Sequence, residues 1–315
     1  MNIRYIEPLY SAFGRMRRAL FRPFELRKWF VVGFTAFLAG LTDFSGNNGG
    51  TGGRFGDDGD LEDLIYFPQR AAEWIADNPG WFTLIIIGVI LLFILGIVLS
   101  WISSRGKFMF LDNVVHDRAE VKNPWYEFKR EGNSLFFWHL VFGFALLLIL
   151  GGYLVYCYAT VVAMYEQGGE FAAIWLPLAG MALGLIGIMA LVSFVELLVK
   201  DFVVPIMYRS RIDVWAGWGA FLKLFWPHFF SFIGYALFTF LLWIMIIIGI
   251  IAAVVLTCCI GGLLLIIPYI NAVALLPVSY TLRAFSLEFL GQFSPEYKLL
   301  PALETGTGSG GFQQP

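Results

Sequence analysis

Five stretches of this chain, 81–102, 135–163, 174–199, 229–256 and 262–282, are apolar almost without interruption. Each exceeds the roughly 20 helical residues that cross the hydrocarbon core of a bilayer. None alternates polar and apolar residues as the strand of a membrane barrel does. Composition closes off the soluble alternatives. Hydrophobic residues are 59% of the chain and charged residues 14%, against about 25% charge in soluble domains, so the polar side chains cannot cover the apolar ones.

A sixth run, Trp29 to Thr42, is short for a span, and a re-entrant segment or a cleaved signal are its alternatives. Charge argues for a crossing, because a basic head precedes it and an acidic loop follows it. The expected fold is therefore all-α, a polytopic membrane helical bundle of about six transmembrane helices with interfacial amphipathic elbow helices. Its parts are a basic amphipathic segment 1–28, a membrane domain 29–285 and a flexible tail 286–315. The spans fall at 29–42, 81–102, 135–163, 174–199, 229–256 and 262–282, with a Gly/Asp-rich loop at 43–80.

Orientation follows from the cations. Placing 1–28, 105–133, 200–228 and 283–315 on one side gathers there 19 of the 21 lysines and arginines, all except Arg54 and Arg70. Positive charge stays inside, so both termini are expected in the cytoplasm and the chain in a cell (plasma or inner) membrane. In the head, Leu9, Phe13, Met16 and Leu20 recur at helical spacing among arginines, the pattern of a helix resting on an anionic leaflet. The loop Gly-Asn-Asn-Gly-Gly-Thr-Gly-Gly-Arg tempts a calcium reading, but Arg54 sits where an acidic ligand is needed, and a flexible loop is the better account.

Two passages between the runs share an order of features and point to a weak repeat of one helical hairpin. The first has Phe108, then charges, Trp125, Phe128 and His139; the second has Phe202, charges, Trp218, Phe221 and His228. Asn123 before Pro124, and Asp213, are good starts for short elbow helices. Trp125 and Phe128 then form an apolar edge in the first copy, and Trp215, Trp218 and Phe221 a broader stripe in the second. With Arg118 and Arg211 they make a candidate aromatic and basic collar, which either anchors at headgroup depth or docks a protein partner from the membrane or the cytoplasm.

The passages Leu-Phe-Arg-Pro-Phe-Glu-Leu-Arg-Lys-Trp, Arg-Gly-Lys-Phe-Met-Phe-Leu-Asp and Val-Val-Pro-Ile-Met-Tyr resemble uncharacterised prokaryotic families near the membrane domain attached to some glycerophosphoryl diester phosphodiesterases. The resemblance implies a helical membrane module of unknown role. The phosphodiesterase barrel and its catalytic residues have no counterpart, so no hydrolase activity comes with it.

Within the runs the candidate polar residues are Glu196 and Asn271. At about 1.5 Å per residue, Glu196 falls near the cytoplasmic end of its helix and Asn271 near mid-bilayer, which argues against a joint site. Glu196 is expected to pair with Lys200 one turn on, and Asn271 to bond between helices. Of the three histidines, His116, His139 and His228, the latter two sit near helix starts beside Trp138 and Trp226 and read as interfacial anchors. Cys157, Cys258 and Cys259 read as buried thiols, a link from Cys157 to either of the others remaining open. No catalytic residue, cofactor, metal or nucleic-acid partner is expected. The expected role is a non-catalytic membrane scaffold, and the alternative is a small-molecule transporter or lipid-handling protein using the region of the fourth and sixth spans, 174–199 and 262–282; whether the chain self-associates is left open.

Overall fold

The computed structural model describes residues 3–42, 59–166, 171–257, 262 and 265–301. Among them the regular structure is entirely helical. The chain starts with α1 (Ile6–Phe21), α2 (Leu26–Ala39) and α3 (Gly59–Asp77), followed by α4 (Pro79–His116), α5 (Lys122–Glu127) and α6 (Lys129–Glu166). It continues with α7 (Phe171–Leu198), a π-helical turn (Val199–Val203) and α8 (Val204–Ser210). It ends with α9 (Val214–Phe225), α10 (Phe229–Leu256), α11 (Pro268–Ala274) and α12 (Leu276–Leu290).

Four helical stretches are long and apolar enough to cross a membrane: Pro79–His116, Lys129–Tyr165, Leu176–Ser210 and Val214–Leu256. The expectation of six is corrected at both ends of the chain. The run expected as span 29–42 is α2, of 14 residues, about 21 Å long at 1.5 Å per residue and too short to cross. The run expected as span 262–282 is broken, because α11 and α12 meet at 63°, and the pair counts as a fifth crossing only if it is one bent span. The break has a local cause. Pro277 has no N–H to give to the carbonyl of Val273, so the helical ladder stops at Leu275 and restarts.

The apolar windows of the four long stretches are 0%, 0%, 11% and 6% buried within the chain, so the hydrophobic core does not lie between them. It lies at their ends. At 38 residues, α4 is about 57 Å long, far more than the roughly 30 Å of hydrocarbon, and the overhang from Ser103 to Val114 is buried throughout. The antiparallel α2 packs along this overhang. Lys28 Nζ lies 2.9 Å from Asp117 Oδ1, Asn113 Nδ2 donates to Thr35 Oγ1 at 3.3 Å, and Ser103 Oγ donates to the Ala39 carbonyl at 2.9 Å. The approach is close because Gly106 has no side chain there: a Cβ would sit 2.7 Å from the Ala39 nitrogen.

The basic α1 packs along α12, burying Met16 and Leu20 while Phe13 stays exposed, and Arg15 Nε meets Glu288 Oε1 at 2.7 Å. Residues 286–301, expected to begin a flexible tail, instead belong to this core. Phe289 and Leu290 are fully buried, Leu300 is buried as well, and the Pro301 carbonyl accepts a hydrogen bond from Arg15. Residues 43–58, which carry most of the expected Gly/Asp-rich stretch, Cys258 and Cys259, and the chain beyond Pro301 lie outside the described residues.

The hairpin repeat is present in three dimensions. Each copy runs long helix, left-handed residue, elbow helix, long helix, and the left-handed residues are Asp117 (φ 50°) and Arg211 (φ 54°). Phe108 precedes Asp117 by the same interval as Phe202 precedes Arg211. In the first copy Phe108 stacks on Phe128 of α5's C-terminal end at 6.0 Å and 10°, and in the second Phe202 stacks on Phe221 of α9 at 5.7 Å and 5°. The copies differ in the π-helical turn, which only the second contains.

Replacing Gly106 by Ala drives a methyl group into backbone that cannot yield, and is expected to destabilise the protein by about 1–3 kcal/mol. Gly88→Ala, where no atom lies within 4 Å of the added Cβ, leaves the melting temperature of the detergent-purified protein unchanged.

Candidate functional site

The overhangs bring their charged side chains together in four clusters. Asp112, on α4, is 1% exposed and would be costly to bury as a bare carboxylate. Tyr208 of α8 donates to its Oδ1 at 2.8 Å, and His116 Nδ1 lies 3.0 Å from the same oxygen. Arg118 covers Oδ2 with Nε at 3.1 Å and Nη2 at 2.8 Å. The hydrogen bond to Asp112 also holds the Arg118 guanidinium above its ordinary pKa, against the opposing effect of desolvation. The Tyr208 ring stacks on Phe128 at 4.8 Å, and Arg211 lies 4.0 Å above that same Phe128 ring while its Nη2 pairs with Glu127. Asp112 therefore ties the first hairpin to the second.

A second cluster lies at the π-helical turn. Tyr235 of α10 donates to Asp201 Oδ2 at 2.9 Å, Arg283 of α12 stands 4.0 Å from Asp201 Oδ1, and Arg283 Nη1 donates to the Lys200 carbonyl. A π turn widens the helix by one residue and frees carbonyls from the regular ladder, and Arg283 uses one that the turn supplies.

The third cluster sits where α4, α6 and α7 converge. His139 Nδ1 lies 2.8 Å from the Leu135 carbonyl, which assigns the proton to Nδ1 in the neutral ring. Nε2 then faces Lys107 Nζ at 3.3 Å and Glu196 Oε2 at 3.5 Å. In the fourth, Arg105 sits in the corner made by Trp101 and Trp125, with its guanidinium carbon 4.3 Å and 5.0 Å from their ring centres, and bonds to Asn133 of α6.

The structure divides the expected collar. Phe128 and Phe221 are buried core residues and are unavailable to lipid or partner, because the apolar edge of each elbow helix turns inward onto Phe108 and Phe202. Trp218 is half-buried beside Trp138, with ring centres 5.9 Å apart, and Trp125 covers Arg105. Trp215, 65% exposed, stays on the outside. Arg118 is committed to Asp112, and Arg211 to Glu127 and the Phe128 ring. Of the intramembrane candidates, Glu196 meets His139, while Asn271 lies on α11, which packs against α2. Asn271 Oδ1 is buried with no hydrogen-bond partner among the described residues. His139 is thus part of a charged cluster, and His228 rests edge-on against Phe293, with ring centres 5.1 Å apart.

Sequence reasoning passed over Asp112, Asp201, Tyr208, Tyr235 and Arg283, which carry the interior electrostatics. The signal was there. Asp112 sits beside Leu111 in a helix whose apolar positions continue past the end of the span, and Asp201 is enclosed by Val199, Phe202 and Val203. Among the described residues no group of three or more His, Cys, Asp or Glu side chains could hold a metal ion.

Four to five apolar helices, with their charges packed together at the overhanging ends, define a multi-pass helical membrane protein. The family model covering residues 4–276 places it further: the chain belongs to a family of unknown function, DUF7544. No curated protein and no solved structure matches it, and nothing in these comparisons supports the likeness to phosphodiesterase membrane domains.

Asp112→Ala would leave Arg118 without its carboxylate and Tyr208 without its acceptor. It is expected to cost about 3–5 kcal/mol, measured by denaturation in detergent. Tyr208→Phe, which removes one donor and keeps the ring stack on Phe128, is expected to cost about 1–2 kcal/mol.

Proposed function

We propose that this protein is a non-catalytic membrane scaffold, held in a cell membrane with both termini in the cytoplasm, whose packed head presents a surface to a protein partner. The observation that carries this reading is the commitment of its charged side chains. Asp112, Arg118, Arg211, Asp201 and Arg283 are engaged in fixed ion pairs and hydrogen bonds that join one helix end to another, the arrangement of a rigid platform. The apolar windows of the four stretches are at most 11% buried among the described residues, which leaves their faces to lipid. The positive-inside rule supports the cytoplasmic placement, since nearly all the cations lie in or beside the head. Tyr126 and Trp215, 67% and 65% exposed on the two elbow helices, are the residues we assign to partner contact.

A second reading, a small-molecule transporter or lipid-handling protein, keeps one observation in its favour: the unpartnered buried oxygen of Asn271 at the break between α11 and α12. Discontinuous helices with free polar groups are a recurrent feature of transporter sites. Glu196 lies in a different cluster, beside His139, so Asn271 alone carries this reading.

Photocrosslinkers placed in cells at Tyr126 and Trp215 are expected to capture one and the same protein, which a crosslinker at the lipid-facing Leu92 does not capture. Recovery of lipid alone from both positions contradicts the scaffold reading. Unchanged uptake after Asn271→Leu removes the transport reading.

A further inference from the structure

Three arginines of the head are each paired with a carboxylate, and Arg105 is not. Arg15 has Glu288, Arg118 has Asp112 and Arg283 has Asp201. Arg105, 6% exposed, meets only a neutral amide, and no carboxylate among the described residues lies within ion-pair distance of it. A buried charge without a counter-ion is unfavourable unless something supplies one.

The geometry around Arg105 limits what that can be. Trp101 and Trp125 cover the guanidinium and stand nearly perpendicular to one another, at 88°. Rings at a right angle cannot both lie flat on one planar guanidinium, so at most one of its faces is stacked, and its N–H groups are not all taken up by the rings. One edge is occupied: Nε and Nη2 both donate to Asn133 Oδ1, at 3.2 and 2.9 Å, and the Trp101 indole N–H donates to the same oxygen at 3.1 Å. Three donors on one atom fix the orientation of the Asn133 amide. Arg105 Nη1 and Asn133 Nδ2 are then left as donors with no acceptor among the described residues. Gly132 makes room for this arrangement, since a Cβ there would lie 2.8 Å from Arg105 Cγ.

Position supplies the chemistry. The apolar run of α4 ends at Ile102, and Trp101 marks the depth of the lipid headgroups, where tryptophan is enriched. Arg105 is one helical turn further on the same face. We propose that Arg105 and Asn133 bind a single phosphate oxyanion, with Nη1 and Nδ2 as its donors and the two tryptophans orienting the guanidinium. At this depth a phospholipid headgroup presents that group, and inorganic phosphate from solution has the same chemistry. The site is separate from the basic α1 and independent of the scaffold reading.

The full chain, purified in mild detergent, is titrated with phosphatidylglycerol, with diacylglycerol, which lacks the phosphate, and separately with millimolar inorganic phosphate. Bound lipid is counted by native mass spectrometry, and stabilisation is followed by thermal shift. Phosphatidylglycerol is expected to be retained and diacylglycerol not, with retention falling about tenfold or more in Arg105→Gln. Asn133→Asp places a carboxylate beside Arg105 as an internal counter-ion. It is expected to fold at least as well as the parent and to lose the lipid to the same extent, so the proposal remains decidable if Arg105→Gln does not fold. Stabilisation by inorganic phosphate that matches the lipid and vanishes in Asn133→Asp assigns the site to free phosphate. Equal retention of phosphatidylglycerol by the parent and Asn133→Asp, equal retention of diacylglycerol and phosphatidylglycerol, or no response to lipid or phosphate overturns it.

Discussion

The structure depends on a mismatch of lengths. A helix of about 57 Å cannot be contained in about 30 Å of hydrocarbon, and α4 carries its excess at one end, where Arg105, Lys107 and Asp112 occur within two turns. Charges on that overhang cannot enter the lipid. They are covered by other segments instead: α2 along one side, α5 and α6 along another, and α8 from the second hairpin. The core forms where long helices leave the membrane, and the apolar windows of the spans are left for lipid. This inverts the usual soluble arrangement, in which the most apolar segments form the core.

Repetition of one hairpin gives this head its layout. In both copies a left-handed residue ends the long helix, the elbow helix turns back, and a phenylalanine from near the end of the long helix stacks on one from the elbow. Such aromatic pairs contribute about 0.5–1.5 kcal/mol beyond the area they bury. The copies are joined by the bond from Tyr208 to Asp112, and the second is fixed to the C-terminal helix by Arg283 and Asp201. The π-helical turn is where the second copy departs from the first, and it is also where Arg283 finds its backbone acceptor.

Much of this was legible in the residues, and what was missed has physical reasons. The long apolar runs show four spans directly, and the order Phe108, Trp125, Phe128 against Phe202, Trp218, Phe221 reveals the repeat. Residues 29–42 could not be settled by hydropathy, because an apolar helix packed on protein and one packed on lipid have the same composition. The elbow phenylalanines were misplaced for a related reason: an amphipathic stripe records that one face is apolar and does not record what covers it. For Asp112 and Asp201 the sequence holds a local sign of burial, an acid among apolar neighbours, and for Asp112 the nearby His116 and Arg118, but Tyr208 and Arg283, which join one hairpin to the next, are distant in the chain and leave no local pattern.

A spin-label scan along α4 tests this account most directly, with oxygen and a water-soluble nickel chelate as the two relaxing agents in reconstituted bilayers. Labels from Leu84 to Leu95 should be reached by oxygen and not by nickel, and labels from Phe108 to Val114 by neither, as expected of a lipid-facing span that continues into a packed protein core. Strong oxygen access along Phe108 to Val114 would place that segment in lipid and contradict the account.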